Sequence, residues 1–380
     1  MEKEPYNETI LPQEGKDNIP CREIIESRLG LDYQVEMQGQ LQYNLKFPYT
    51  VELGESGWRD FYEQMIRSGC KPLVRKWKGY TLLIIVKEEE EKKKINTIAG
   101  ILLALTTILT LYMSGDYLKQ SMLAYGYTGS VSPSLIPSLY VIGLLGPLLI
   151  HEAGHWSMMR AYKTPSSMPY LIPAPPLQWG FLGTFGAVIN MRWLPPTVDA
   201  LAIVGVMGPL AGFIAAIPVT IYGLKLSLVV PASLAPSGGY LTAYPIIFLL
   251  LGQEFLPNPT RGEVVLLHPL AFAGYIVFLV TFLNLIPIAQ LDGGHIIRAS
   301  LGEKGHRIVS NAFLILLLAF SFVETFLLLF ALIAFVIHML SRGRHPGPAM
   351  PVERLGVKGQ LAVITFFILL FLTFPLPVTS

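Results

Sequence analysis

The chain has 380 residues, of which 52% are hydrophobic and only 14% are charged, and its formal net charge is +2. Soluble domains carry about 25% charged residues, so this composition argues against an ordinary soluble enzyme. The near balance of charge also argues against a nucleic-acid partner, which requires a strongly basic face.

The charged residues are concentrated in the N-terminal quarter of the chain. Residues 1–94 hold 15 Lys/Arg and 17 Asp/Glu, whereas residues 95–380 hold the remaining 13 and 9. Such a break in composition marks a domain boundary. We expect a disordered tail at 1–20, a cytosolic α+β domain with a charged linker at 21–94, and a transmembrane domain at 95–380.

Short elements are predicted within the polar N-terminal part. Alternating apolar and polar residues at 41–46 indicate a strand, and a helix is expected from Ser56 to about Ser68. Residues 73–77 and 80–86 flank a Lys-Gly turn and predict a hairpin. Because this part shows no catalytic cluster, we interpret it as a recognition or regulatory module with an unknown partner.

The two cysteines of the chain, Cys21 and Cys70, both lie in the polar part. Two distant cysteines form neither a zinc knuckle nor a disulfide framework, so we expect two unpaired thiols. Residues 1–20 lack the apolar core of a signal peptide, so the first membrane span is expected to target the chain.

Hydropathy predicts a polytopic α-helical membrane protein with about six to seven spans, each of about 20 apolar residues. The segment 226–252 is apolar but interrupted by proline and glycine, which favours an outer loop or a re-entrant segment. Asp116 is expected in an outer loop and Glu324 in a turn at the outer surface. Gln178–Trp193 is expected to form a re-entrant β-hairpin. The predicted spans are 95–113, 133–162, 198–224, 264–288, 308–322, 325–340 and 360–378.

Basic residues fall mainly in loops that share one side of the membrane if the N-terminus is cytoplasmic. Cytoplasmic loops carry an excess of Lys and Arg, so this orientation is the expected one. The sequence therefore predicts an integral membrane protein with a cytoplasmic N-terminus, and we expect it in a prokaryotic cell membrane.

The second predicted span ends in His151-Glu152-Ala153-Gly154-His155, an H-E-x-x-H motif inside an apolar helix. A spacing of four residues puts both histidines on one helical face, where their imidazoles can bind one Zn²⁺. Glu152 lies beside that face and can reach a metal-bound water. Ionisable groups at membrane depth are costly unless they are functional or paired, which favours a metal site over chance.

A zinc site needs a third protein ligand, and three aspartates follow residue 94. Asp292 lies in Asn284-Leu-Ile-Pro-Ile-Ala-Gln-Leu-Asp292-Gly-Gly-His295, where Pro287 and the glycines should break the fourth span. A broken helix at membrane depth is tolerated where it lines a cavity, so Asp292 is favoured as the third ligand. Asp199 and His295 remain alternatives.

The two motifs together resemble those of the site-2 proteases, which are intramembrane zinc metalloproteases. The similarity covers roughly residues 40–340 and is strongest to the archaeal and plastid branch named for ethylene-dependent gravitropism deficiency. The segments Leu182–Ala187 and Met207–Gly212 also resemble family landmarks. A PDZ or CBS-like module, which some family members carry, is not apparent in this sequence.

The resemblance implies that one Zn²⁺ per chain is held by His151, His155 and Asp292, with Glu152 as the general base. It assigns Asn284 to substrate binding or to the oxyanion, and Gly293 and Gly294 to the turn. The implied substrates are membrane-anchored proteins, cut within their transmembrane segments in the lipid bilayer. A metal-ion or solute transporter using the same His/Asp cluster is the alternative.

The remaining histidines are not the favoured metal ligands. His295 is expected to be a partly solvated loop residue, and His268 is expected to cap or pack at the start of the fourth span. His306, His338 and His345 flank predicted spans, and we expect them to be solvated.

Overall fold

The structure, a computed structural model, describes most of the chain, and two parts can be distinguished within it. The described residues are 19–29, 34–38, 42–47, 55–77, 80–87, 97–127, 129–234, 241, 243–322, 327–350 and 354–377. The expected disordered tail therefore lies almost wholly outside them, as does Glu324.

The N-terminal part is an antiparallel sheet of four strands in the order β1-β2-β4-β3, accompanied by two helices. Its elements, in chain order, are α1 (Arg22–Leu29), β1 (Gln34–Gln38), β2 (Gln42–Phe47), α2 (Glu55–Arg67), β3 (Cys70–Trp77) and β4 (Tyr80–Lys87).

This part is held together by one apolar face of α2 packed on one face of the sheet. Trp58, Phe61 and Met65 follow each other at helical spacing and are fully buried. On the sheet, Leu45 pairs directly with Leu83 across β2 and β4, and both side chains are buried. The alternation of apolar and polar residues that predicts a strand is therefore also the pattern that builds this core.

The expectation of two unpaired thiols is wrong. Cys21, just before α1, and Cys70, the first residue of β3, form a disulfide with a Cα–Cα distance of 6.6 Å. Sequence spacing gave no sign of this because the two residues, 49 positions apart, meet only when β3 and α1 come together.

The second part is a bundle of helices, of which α3, α4 and α5 are long and apolar enough to cross a membrane. The helices α6, α7 and α10 are shorter and apolar, so the larger predicted span count stays a prediction. The helices are α3 (Thr97–Ala124), α4 (Ile136–Ala161), α5 (Val198–Lys225), α6 (Ile246–Phe255), α7 (Pro269–Leu285), α8 (Asp292–Ser321), α9 (Leu327–Leu340) and α10 (Val357–Thr373).

Several predicted boundaries differ from the structure. Helix α3 continues beyond the predicted span, so Asp116 lies within it and forms an ion pair with Lys119 instead of belonging to an outer loop. Among the described residues, six short strands accompany these helices: β5 (Tyr170–Pro173), β6 (Thr184–Val188), β7 (Leu228–Pro231), β8 (Ala243–Pro245), β9 (Glu263–Leu266) and β10 (Pro375–Pro377). The segment 226–252 was expected to be an outer loop or a re-entrant segment. Its described residues form two of these short strands, β7 and β8, and the start of α6.

Helix α5 is the centre of the bundle and packs against α4, α7, α8 and α10. Its approach to α4 depends on Gly154, where a Cβ atom would lie 2.4 Å from the backbone oxygen of Met207. Small residues at such crossings let helix backbones approach closely in membranes. The core of the molecule is therefore also the place where the H-E-x-x-H helix is held.

Strands β5 and β6 form an antiparallel hairpin beside α3 and α4. The hairpin was expected within Gln178–Trp193, but its first strand precedes that segment. The Thr110 hydroxyl on α3 donates to the Gly183 carbonyl at 2.6 Å, and the Leu177 N–H donates to the Ser114 hydroxyl at 2.9 Å. These bonds fix the hairpin to the bundle.

The N-terminal part docks on the segment that joins β6 to α5. The Trp58 indole N–H donates to the Pro196 carbonyl at 2.7 Å, and the Tyr62 hydroxyl donates to the Leu194 carbonyl at 2.8 Å. Both aromatic rings are buried. Helix α2 thus touches the chain that leads directly into the central helix.

Candidate metal centre

Three side chains from two distant segments meet inside the bundle. His151 and His155 lie one turn apart on the buried face of α4, and Asp292 is the first residue of α8. Their ligand atoms all lie within 4.8 Å of one another. The His155 Nε2–His151 Nε2 distance is 3.1 Å, and the Asp292 carboxylate oxygens lie 3.3 Å from each Nε2.

These distances fit a tetrahedral metal site. Ligands at the usual zinc distance of about 2.0–2.1 Å are separated from each other by roughly 3.3 Å in a tetrahedron. Two imidazoles and one carboxylate also leave a fourth position open, as catalytic zinc sites do. Geometry and donor type therefore fit Zn²⁺.

The orientation of His155 is set by a backbone contact that the sequence did not reveal. Its Nδ1 lies 2.7 Å from the Val204 carbonyl on α5, so Nδ1 carries the proton and Nε2 is left to face the metal position. The imidazole also lies against Gly208, where a Cβ atom would be 2.0 Å from Nε2. Only glycine fits at position 208. This explains in physical terms why a glycine occurs in the segment Met207–Gly212, which the sequence analysis identified only by its resemblance to the family.

The predicted break before Asp292 is present. Helix α7 ends at Leu285 and α8 begins at Asp292, and the intervening Ala289 has a φ of +50°. Gly293 and Gly294 are helical residues at the beginning of α8, and not part of the connecting turn to which the resemblance assigned them. A Cβ atom at Gly293 would lie 2.0 Å from the Leu285 carbonyl oxygen. These glycines let α8 pack against the break, which directs the Asp292 carboxylate towards α4.

The two predicted catalytic residues, Glu152 and Asn284, lie on different helices, α4 and α7. The Glu152 carboxylate interacts electrostatically with His155 and Asp292 and lies close to the backbone N–H of Ile189, just beyond β6. Asn284 is half-buried in the last turn of α7, before the break. The catalytic roles of both residues stay predictions.

The alternative third ligands lie elsewhere. An Asp199 carboxylate oxygen accepts from the Gly356 N–H at 2.8 Å, which joins the start of α5 to the start of α10. His295 lies within α8, not in a loop, and its Nδ1 is 2.7 Å from His345 Nε2. His268 caps α7, as expected, by accepting from the Leu270 N–H at 3.1 Å.

The expectation that His306 and His345 are solvated is wrong, because they are only 1% and 4% exposed. His338 is half-buried and therefore keeps partial access to solvent. His306 Nε2 lies 3.0 Å from the Ala289 carbonyl in the break before α8, and its ring lies 5.3 Å from that of His345. His295, His306 and His345 thus form a histidine cluster next to Asp292.

Comparison with known proteins agrees with this geometry. The model of peptidase family M50 matches residues 139–330, about half of the chain, and this range includes His151, His155 and Asp292. The chain belongs to peptidase family M50. This confirms the resemblance that the two motifs carried.

Relatives of this M50 chain include plant proteins. It is 31% identical over 172 residues to "Probable zinc metalloprotease EGY1, chloroplastic" of Arabidopsis thaliana, covering 43% of this chain and 29% of that protein. It is 27% identical over 253 residues to the Arabidopsis EGY2 protein of the same description, covering 64% and 42%. The chain thus spans less than half the length of these relatives. No solved structure matches it.

The M50 match and the apolar helices make this a membrane protein. The finer expectation of a prokaryotic cell membrane does not fit the relatives, because their names place them in chloroplasts.

Proposed function

We propose that this M50 chain is an intramembrane zinc endopeptidase that hydrolyses peptide bonds in the transmembrane segments of membrane-anchored proteins. The observation that carries the proposal is the convergence of two imidazole nitrogens and one carboxylate at separations of 3.1–3.3 Å inside an apolar bundle. Its relatives named as zinc metalloproteases support the choice of metal and of reaction.

The proposed roles follow from position. His151, His155 and Asp292 hold the ion, which, when bound, lowers the pKa of a water and polarises the substrate carbonyl. Glu152 accepts a proton from the attacking water and delivers it to the leaving amine. Asn284 is proposed to donate a hydrogen bond to the substrate or to the developing oxyanion.

The β5–β6 hairpin is the proposed guide for the substrate. A peptide bond in a helix is shielded by its own hydrogen bonds, so the substrate must become extended before it is cut. Adding an extended peptide to a sheet edge satisfies its backbone groups. The position of Glu152 near Ile189, directly after β6, would bring such a peptide beside the general base.

The orientation with a cytoplasmic N-terminus and cleavage near that side of the membrane are part of the same proposal. They rest on the distribution of basic loops. The transporter alternative is not favoured, because the family that matches the chain is a peptidase family and a transporter has no need of a glutamate directly after the first histidine.

The test is reconstitution of the purified chain with a single-span substrate, comparing wild type with Glu152→Gln. We expect the variant to lose cleavage while it retains about one zinc per chain by elemental analysis. Glu254→Gln, on the exposed surface of α6, is the matched control and should cut normally. Equal cleavage by Glu152→Gln and wild type would remove Glu152 from the proposed role.

A further inference from the structure

A cleft of about 220 Å³ opens where the start of α5, the middle of α8 near its interruption at Gly302, and the residues just before α10 meet. Its walls include Arg298, Ser300 and Gly302 of α8, Pro348 of the loop after α9, and Arg354 before α10. It is separate from the proposed metal centre, whose ligands do not line it.

Arg298 is a buried cation with few partners. Its side chain is 7% exposed, and its Nε makes a long hydrogen bond of 3.4 Å to the His345 carbonyl. Within the residues that the structure describes, neither terminal nitrogen has a hydrogen-bond acceptor, and no carboxylate lies at ion-pair distance. Burying a guanidinium without a counter-ion is costly, so this arrangement calls for an anion.

Further positive charge surrounds the same cleft. Arg354 is exposed and has no ion-pair partner among the described residues. Arg75 of β3 donates to the Pro348 carbonyl at 3.2 Å, and burial together with the charge of Arg298 lowers the pKa of Arg75 to about 10. The nearby acidic residue, Glu303, forms an ion pair with Arg307 at 3.2 Å and also interacts electrostatically with Arg298 and Arg75. The charged residues that line the cleft itself, Arg298 and Arg354, are both basic.

Two glycines near Arg298 affect the space and the backbone beside the cleft. At Gly347, φ +75°, a Cβ atom would lie 2.6 Å from the Arg298 Nη2, so the glycine leaves room for the guanidinium. Helix α8 is interrupted at Gly302, which has φ 70° and ψ −168°. A second helical segment therefore begins beside the cleft, and helix beginnings favour anions.

We propose that this cleft binds a phosphate group through Arg298 and Arg354. The planar guanidinium of arginine matches phosphate oxygens in a bidentate manner. The phosphate comes either from an anionic lipid headgroup, since basic pockets between membrane helices bind such headgroups, or from a free phosphate compound. The site is independent of the proposed peptidase chemistry.

Occupation of the cleft would link three parts of the molecule. Arg298 lies two turns into α8 from Asp292 and contacts the His345 carbonyl, while Arg75 brings the N-terminal part to the same loop. A bound phosphate would neutralise these cations and hold α8, the loop and the start of α10 in one arrangement.

The experiment uses the full chain in a neutral detergent and measures binding by calorimetry. The probes are inorganic phosphate, dihexanoyl-phosphatidylglycerol below its micelle concentration, and dihexanoyl-phosphatidylcholine as the lipid without net charge. Saturable binding of phosphatidylglycerol that is tighter than that of phosphate assigns a lipid headgroup; equal or tighter binding of phosphate assigns a free compound. Either result supports the site, whereas no saturable binding of either probe overturns it.

Variants locate the binding. Arg298→Gln should weaken it about tenfold or more, and exposed Arg354→Gln, which should fold normally, at least about threefold. Arg344→Gln, an exposed arginine outside the cleft lining, is the matched control and should bind as wild type does. Unchanged affinity in Arg354→Gln and Arg298→Gln would overturn the proposal.

Discussion

At the scale of single residues, the metal centre depends on one position where a side chain must be missing. Gly208 faces the imidazole of His155 so closely that a Cβ atom would lie 2.0 Å from Nε2. Two non-bonded atoms cannot approach each other that closely, so a side chain at position 208 would push the ring away. The Val204 carbonyl already holds the Nδ1 atom of His155, and a displaced ring would lose this hydrogen bond.

We therefore expect Gly208→Ala to displace the His155 ring and to reduce zinc content well below one per chain while the protein still folds. Elemental analysis and circular dichroism of the purified variant measure both properties. Gly146→Ala is the matched control on α4, because a Cβ atom there meets nothing within 4 Å. Full zinc occupancy in Gly208→Ala would show that His155 is not a ligand.

The choice between two aspartates can also be tested at this scale. Asp292 lies 3.3 Å from both imidazole nitrogens, whereas Asp199 binds the Gly356 N–H. Asp292→Asn should weaken zinc binding by more than the roughly 10–100-fold that outer-shell changes cost, measured by competition with a chelator. Asp199→Asn should leave zinc affinity unchanged; the reverse result would exchange their roles.

At the scale of elements, the sequence predicted some features and missed others for a physical reason. The H-E-x-x-H helix and the break before Asp292 depend on local patterns, so residue spacing and proline reveal them. The burial of His306 and His345 does not depend on a local sequence pattern. It arises when the loop after α9 packs against α8 and β3. Hydropathy likewise ended α3 too early, since the helix continues through polar residues such as Asp116.

The docking of α2 on the bundle is a contact of this long-range kind. Trp58→Phe removes one of two hydrogen bonds to the Pro196 carbonyl, which also accepts from the Met350 N–H at 3.1 Å. The loss of this one bond costs about 0.5–1.5 kcal/mol. We expect faster hydrogen–deuterium exchange in peptides that cover residues 190–200. Trp179→Phe, whose side chain is 70% exposed, serves as the control. Identical exchange in Trp58→Phe and wild type would contradict the docked arrangement.

At the scale of the whole molecule, zinc is expected to join the two sides of the bundle. Its proposed ligands come from α4 and α8, so an ion bound only by the folded protein stabilises the fold by linkage. Removing zinc with a chelator should lower the melting temperature, and adding zinc back should restore it. Glu152→Gln should show the same shift, whereas Asp292→Asn should show little; an equal melting temperature with and without zinc would contradict the linkage.

The orientation of the molecule can be tested through its cysteines. Disulfides persist in oxidising compartments and are rare in the cytosol of most organisms, yet the structure joins Cys21 to Cys70. Closing a loop of this length stabilises a fold by about 4 kcal/mol in the chain-entropy model, so reduction should lower the melting temperature of the N-terminal part.

Labelling of sealed membranes with an impermeant maleimide then connects this bond to topology. If the N-terminal part faces a reducing cytosol, as proposed, both cysteines should react when the reagent is added to the cytosolic side of freshly isolated, sealed membranes. After oxidation of the purified chain, neither should react until a reductant is added. Labelling only from the opposite side of the sealed membranes would reverse the proposed orientation, because the basic loops would then lie on the wrong side of the membrane.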